Sequence, residues 1–90
     1  MRFVWDKPKR LSNLAKHGLD FADIEEGFDF DRAIVLPAKP SSAGATRIRL
    51  IGKLNGKLLV AVIGSALGSE AISIVSLRKA SKKERELHDR

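Results

Sequence analysis

The side chains of this sequence that could do chemistry are arginines, lysines and two histidines, with no cysteine beside them. His17 and His88 lie far apart and have no cysteine or paired-carboxylate pattern nearby, so no metal site is expected. No glycine-rich phosphate loop follows the first strand, since Gly64 and Gly68 are too sparse, and no serine sits in a nucleophile elbow. No cofactor is expected. What remains is the equipment for metal-free RNA cleavage, in which the RNA's own 2′-hydroxyl attacks the adjacent phosphate. A protein doing this must orient the phosphate, neutralise the charge growing on its oxygens and move protons. Arginine suits neutralisation, because its planar fork grips two phosphate oxygens and stays charged. Histidine suits proton transfer, because an unperturbed pKa of about 6.5 permits acid and base roles.

Each candidate has a plainer alternative. Arg47 and Arg49 fall on the polar face of a strand, to bind phosphate or simply to be solvated. Arg78 closes an apolar strand just before a helix, a junction from which a side chain projects off a rigid end. His17 precedes Gly18 and serves either proton transfer or the carbonyls of a helix C-terminus, where a cation is favoured. His88, near the end of the sequence, is the other candidate for proton transfer. Lys9, Lys16, Lys79, Lys82 and Lys83 are candidate RNA contacts. Lys82 and Lys83 stand at a helix N-terminus, where the dipole disfavours cations, which hints at an anion nearby. Trp5 reads as core rather than as a platform for stacking bases.

The charge balance supports a polyanionic partner. Seventeen lysines and arginines against eleven acids leave a net charge of +6, and the sequence pI is about 10.1. A pI above about 9 in a small domain is an expected footprint of nucleic-acid binding. Cations gather at both ends, in Arg2, Lys7, Lys9, Arg10 and Lys16 and again from Arg78 to Arg90, while acids cluster between Asp20 and Asp31. One basic face and one acidic flank are expected; the alternative is a solvated surface that maintains solubility.

Length and composition set the frame. Ninety residues, 43% hydrophobic and 31% charged, are expected to fold as one domain over 1–90. Such a domain buries only about 60–65% of its unfolded surface. No apolar run approaches the roughly 20 residues of a membrane span. No secretory signal pattern opens the sequence, so a cytoplasmic location is expected.

The elements that must position the candidates follow from local patterns. Phe3 to Asp6 reads as a short strand running into a helix, with Asp6 as N-cap and Pro8 in the first turn. Leu11, Leu14 and Ala15 give that helix an apolar stripe, and Gly18 ends it. Asp20 caps a second short helix, whose Phe21, Ile24 and Phe28 face the core. A strand from Ala33 to Leu36, stopped by Pro37, precedes a loop from Ala38 to Ala45. Arg47 to Gly52 alternates basic and apolar residues as a half-buried strand does. Asn55-Gly56 signals a tight hairpin turn. Leu58 to Ile63 is apolar throughout, a central strand covered on both faces. Gly64 to Ser69 reads as a turn and Ala71 to Leu77 as a strand. Ser81-Lys82-Lys83-Glu84 forms a capping box that starts a basic terminal helix. The expected fold is α+β, with two N-terminal helices and a C-terminal helix packed on a mostly antiparallel sheet.

The sequence also resembles the BrnT family of toxin–antitoxin ribonucleases. The resemblance runs through Trp5-Asp6, Lys9, Asn13, Lys16-His17-Gly18 and Phe21; Arg47 with Ile51-Gly52; Leu58-Leu59-Val60; and Ile74, Ser76, Arg78-Lys79-Ala80 and Glu84-Arg85. It implies a RelE-like domain that cleaves RNA and is silenced by a BrnA-like antitoxin, an acidic or hydrophobic helix of which would cover the basic cleft. Operator DNA would be reached only through that antitoxin. Arg47 and Arg78 match arginines that members usually carry. The sequence departs from the pattern where Thr46 replaces an acidic residue, where Ala61, Ile63, Gly64, Ala66, Ala71 and Ser73 replace polar or basic ones, and where His88 stands nearest to a missing tyrosine. The alternative expectation is therefore a catalytically weakened toxin homologue that binds its antitoxin and co-represses DNA.

Overall fold

The computed structural model describes residues 2–40 and 46–90. Five strands form one sheet in the order β1-β5-β4-β3-β2. In chain order the elements are β1 (Arg2–Val4), α1 (Lys7–His17), a 3-10 turn (Phe21–Asp23), α2 (Ile24–Gly27), β2 (Ile34–Ala38), β3 (Arg47–Leu54), β4 (Leu58–Leu67), β5 (Ala71–Lys79) and α3 (Lys82–His88). The pairs β2–β3, β3–β4 and β4–β5 are antiparallel, while β1 runs parallel to β5. The sheet is therefore mixed.

Local signals set most boundaries. The Asp6 side chain accepts from the Lys9 amide at the start of α1, and Gly18 closes it in a left-handed conformation with φ 71°. Asn55 and Gly56 turn the β3–β4 hairpin with φ of 54° and 69°, the positive values such a turn requires. The capping box of α3 is complete in both directions.

Three expectations need correction. The second N-terminal helix is only a 3-10 turn leading into the four-residue α2, as Gly27 and the acid-rich stretch after it give no further helical periodicity. Pro37 does not stop β2 but lies inside it, tolerated because β2 is an edge strand with an open side. The turn expected over Gly64 to Ser69 begins only at Gly68: β4 continues to Leu67, with a register shift at Ile63/Gly64 that leaves Val75 as an extra residue on β5. The stripe on α1 stands partly in solvent, for Leu11 is 53% and Leu14 39% exposed. Of the expected loop, Ala38 joins β2 and residues 41–45 lie outside the described residues.

The central strand explains the two-sided core. Val60 and Val62 of β4 face the larger cluster with Phe3, Phe21, Ile24, Phe28, Leu50, Leu54, Ile72, Ile74 and Leu77. Ala61 faces the other side with Ile51 and Ala80, flanked by Ile34, Leu36, Leu59 and Ile63. Alternation in a strand covered on both faces makes the whole run apolar. Trp5 packs against the larger cluster, edge-on to Phe21 at 6.2 Å between ring centroids.

Candidate functional site

The strand registers bring three arginines to one face. Arg47, Arg49 and Ile51 alternate onto the same side of β3, and Ile51 pairs with Ala61, which pairs with Arg78. Helix α3 lies over this face and lowers Glu84 onto it. Glu84 is 2% exposed, and its carboxylate accepts four hydrogen bonds. Arg78 donates from Nη1 to Oε1 at 2.7 Å and from Nη2 to Oε2 at 3.0 Å. Arg49 donates from Nη1 to Oε2 at 2.7 Å, and the Ser81 amide donates to Oε1 at 2.8 Å. Arg49 also donates from Nε to the Pro37 carbonyl at 2.8 Å, and Arg78 from Nη1 to the Lys79 carbonyl at 3.2 Å.

These contacts dominate the local electrostatics. The Arg78 guanidinium, against desolvation and with help from the Ser81 amide and Arg49, holds the Glu84 carboxyl down at about 2. The Arg78 guanidinium is in turn pushed up by its hydrogen bond to Glu84. Two guanidiniums share one carboxylate, so the cluster keeps one net positive charge beside solvent. Glu84 was legible only as a capping residue. The missed signal is that a Glu at the third helical position points back along the chain toward Arg78, six residues upstream.

Arg47 is half-buried on the same face, and among the described residues its Nε has no hydrogen-bond partner. His88 stands one helical turn beyond Glu84, on the same side of α3. Its side chain is 12% exposed, and among the described residues neither ring nitrogen has a hydrogen-bond partner; Nδ1 lies 3.6 Å from the Asp89 carboxylate. Lys79, Lys82 and Lys83 are exposed around the β5–α3 junction next to Arg78.

The remaining candidates gather elsewhere. Lys9, Lys16 and His17 line a groove of about 280 Å³ between α1 and the edge of β5, with Ser12, Asn13, Val75 and Ser76. His17 and His88 thus belong to different elements, one beside the β5 edge and one on α3, a turn beyond Glu84. A larger cavity of about 440 Å³, lined by Arg2, Phe3, Val4 and Glu25, holds none of the candidates. Among the described residues, no group of three or more His, Asp or Glu converges as a metal site would require.

A mixed five-stranded sheet with arginines on one face and a lysine- and histidine-lined groove at its edge defines a small basic α+β domain suited to meeting a polyanion. A family model described as "Ribonuclease toxin, BrnT, of type II toxin-antitoxin system" matches residues 5–84, and the chain belongs to that family. The crystal structure of the ribonuclease toxin BrnT of Brucella abortus is similar to it, with 46% sequence identity and a TM-score of 0.71, covering 91% of this chain and 99% of that one. No curated protein matches it.

Proposed function

We propose that this protein is an endoribonuclease toxin cutting RNA by metal-free attack of a 2′-hydroxyl on its neighbouring phosphate. The 2′-oxygen bonds to phosphorus as the bond to the 5′-oxygen breaks, giving a 2′,3′-cyclic phosphate and a 5′-hydroxyl. A base removes the 2′-proton and an acid supplies one to the leaving oxygen. Arg78 and Arg47 grip and polarise the phosphate, and Arg49 adds charge beside them. His88, a turn beyond Glu84 on α3, moves protons there, with His17 as the second candidate. Lys9, Lys16, Lys79, Lys82 and Lys83 draw in the RNA backbone.

In this reading residues 1–90 are a RelE-like toxin domain working in the cytoplasm. A BrnA-like antitoxin covers the basic face, and operator DNA is reached only through it. The observation that carries the reading is that Arg47 and Arg78 share one face, as a common phosphate requires. Arg78→Ala is expected to cost about 2–4 kcal/mol of transition-state stabilisation, judged from the loss of single oxyanion donors. Cleavage of single-stranded RNA and growth arrest are the readouts. If Arg78→Ala and Arg47→Ala both leave them intact, the roles are wrong.

One observation favours a second reading. Ile51 and Ala61 floor the face beside Arg78, and its buried carboxylate, Glu84, is fully engaged. A catalytically weakened homologue would pair with the antitoxin and co-repress DNA. Such a protein binds RNA in the same assay without cutting it.

A further inference from the structure

We infer that Glu84 is the positioning residue of this site: its buried carboxylate aims Arg49 and Arg78 at one phosphate and limits their combined charge. The inference rests on reading Arg78 as a phosphate ligand.

The helix cap does not account for the arrangement. A capping box asks one hydrogen bond of its Glu, from the N-cap amide, and an exposed carboxylate supplies that. Here the same carboxylate is buried and takes three further hydrogen bonds, tying β3 and β5 to the start of α3. Removing a carboxylate from water is costly unless its lone pairs are filled by charged donors, as they are here.

The donors left over point to the role. A guanidinium carries five N–H groups in a fixed plane. Arg78 uses its two terminal nitrogens on Glu84 and the remaining Nη1 hydrogen on the Lys79 carbonyl. Among the described residues that leaves Nε–H and one Nη2–H unused, and they lie side by side as a fork matched to two phosphate oxygens. Arg49, held at Nε and Nη1, keeps Nη2. The two side chains are 31% and 32% exposed, so these outer edges reach solvent while the inner edges are locked. Without the carboxylate the guanidiniums would repel each other and lose their common aim. The bare charge offered to RNA would meanwhile rise.

This predicts opposite effects on binding and on turnover, which a merely structural residue would not produce. Purified protein is assayed on an RNA oligonucleotide for kcat and KM. Binding is measured on the 2′-deoxy version, which lacks the attacking hydroxyl. Glu84→Gln keeps an acceptor for the cap and removes the charge; it is expected to lower kcat about tenfold or more through lost orientation. Binding of the deoxy oligonucleotide should tighten about three- to tenfold at low salt, and only while Arg78 is present. Glu84→Asp keeps the charge but is one methylene short of reaching both arginines, so kcat should fall with little change in binding. An unchanged kcat in both variants overturns the inference, as does a matched loss of kcat and binding, or loss of the folded circular-dichroism spectrum in both. If the unaltered protein binds RNA without cutting it, the nuclease reading fails instead. The inference is then decided by binding alone: tightening in Glu84→Gln that vanishes in the Arg78→Ala background sustains it, and its absence ends it.

Discussion

The side chain of Asn13 and the backbone of Leu77 exchange two hydrogen bonds, as neighbouring strands would. The Leu77 amide donates to Oδ1 at 3.0 Å, and Nδ2 donates to the Leu77 carbonyl at 2.8 Å. The three-residue β1 covers β5 only from Ala71 to Ser73, so the strand would otherwise expose an open edge there. Asn13 is the buried residue of α1 and closes that edge from the helix; Nδ2 also donates to the Leu19 carbonyl at 3.1 Å. Asn13→Ala leaves buried backbone groups unpaired and is expected to cost about 2–4 kcal/mol. In a domain this small that lowers Tm by about 8 °C or more, measured by thermal melting.

Acid should loosen the fold through two carboxylates. Glu84 is held at about 2, chiefly by Arg78, against 4.5 ordinarily, and Asp20 at about 2, chiefly by Arg10, against 3.8. Both are depressed in the folded state, so the stability they contribute is present above their unfolded values and is lost as pH falls toward 2. Urea midpoints should be level from pH 7 to about pH 5 and decline between 4.5 and 2. Glu84→Gln should flatten that decline, and an unchanged slope would remove Glu84 from the explanation.

Gly52 is needed for room rather than for its backbone angles. A Cβ there would stand 2.8 Å from the Phe28 ring and 3.1 Å from the Asp29 carbonyl, and neither a buried aromatic nor a backbone yields easily. Gly52→Ala should therefore destabilise by about 1–3 kcal/mol in chemical denaturation.

The α1–β5 groove should act on RNA of any sequence. Lys16→Ala is expected to weaken binding uniformly across RNA sequences and to reduce the slope of log K against log salt by about 0.7–1. A change confined to one sequence would mean that Lys16 reads bases instead.

Leu11 stands largely in solvent on α1. At 53% exposure its replacement by serine should alter stability by less than about 0.5 kcal/mol, where a core leucine would cost several times that.

Legibility in the sequence followed how local each signal was. The caps at Asp6 and Ser81, the terminator Gly18 and the turn at Asn55-Gly56 act through hydrogen bonds and torsions within a few residues, and each stands where expected. The sides of β3 were readable because side chains alternate along a strand. The stripe of Leu11 and Leu14 was readable as one side of a helix, but spacing does not show whether the fold covers that side. Pro37 misled because its cost depends on whether a neighbour occupies its amide side, and only strand order reveals an edge.

Residue type and spacing alone thus established a basic α+β chain, the core placement of Phe21, Ile24 and Phe28, and arginines at Arg47, Arg49 and Arg78 as the groups with chemistry to offer. Folding settled their company. Arg49 and Glu84 are 35 residues apart and meet because α3 lies over the face of the sheet from which Arg49 of β3 projects; Asn13 and Leu77, 64 apart, meet because α1 lies along β5. A pairing across such distances is a property of sheet order and helix placement, which arise from burying the whole apolar surface at once and leave no mark in any short stretch of sequence.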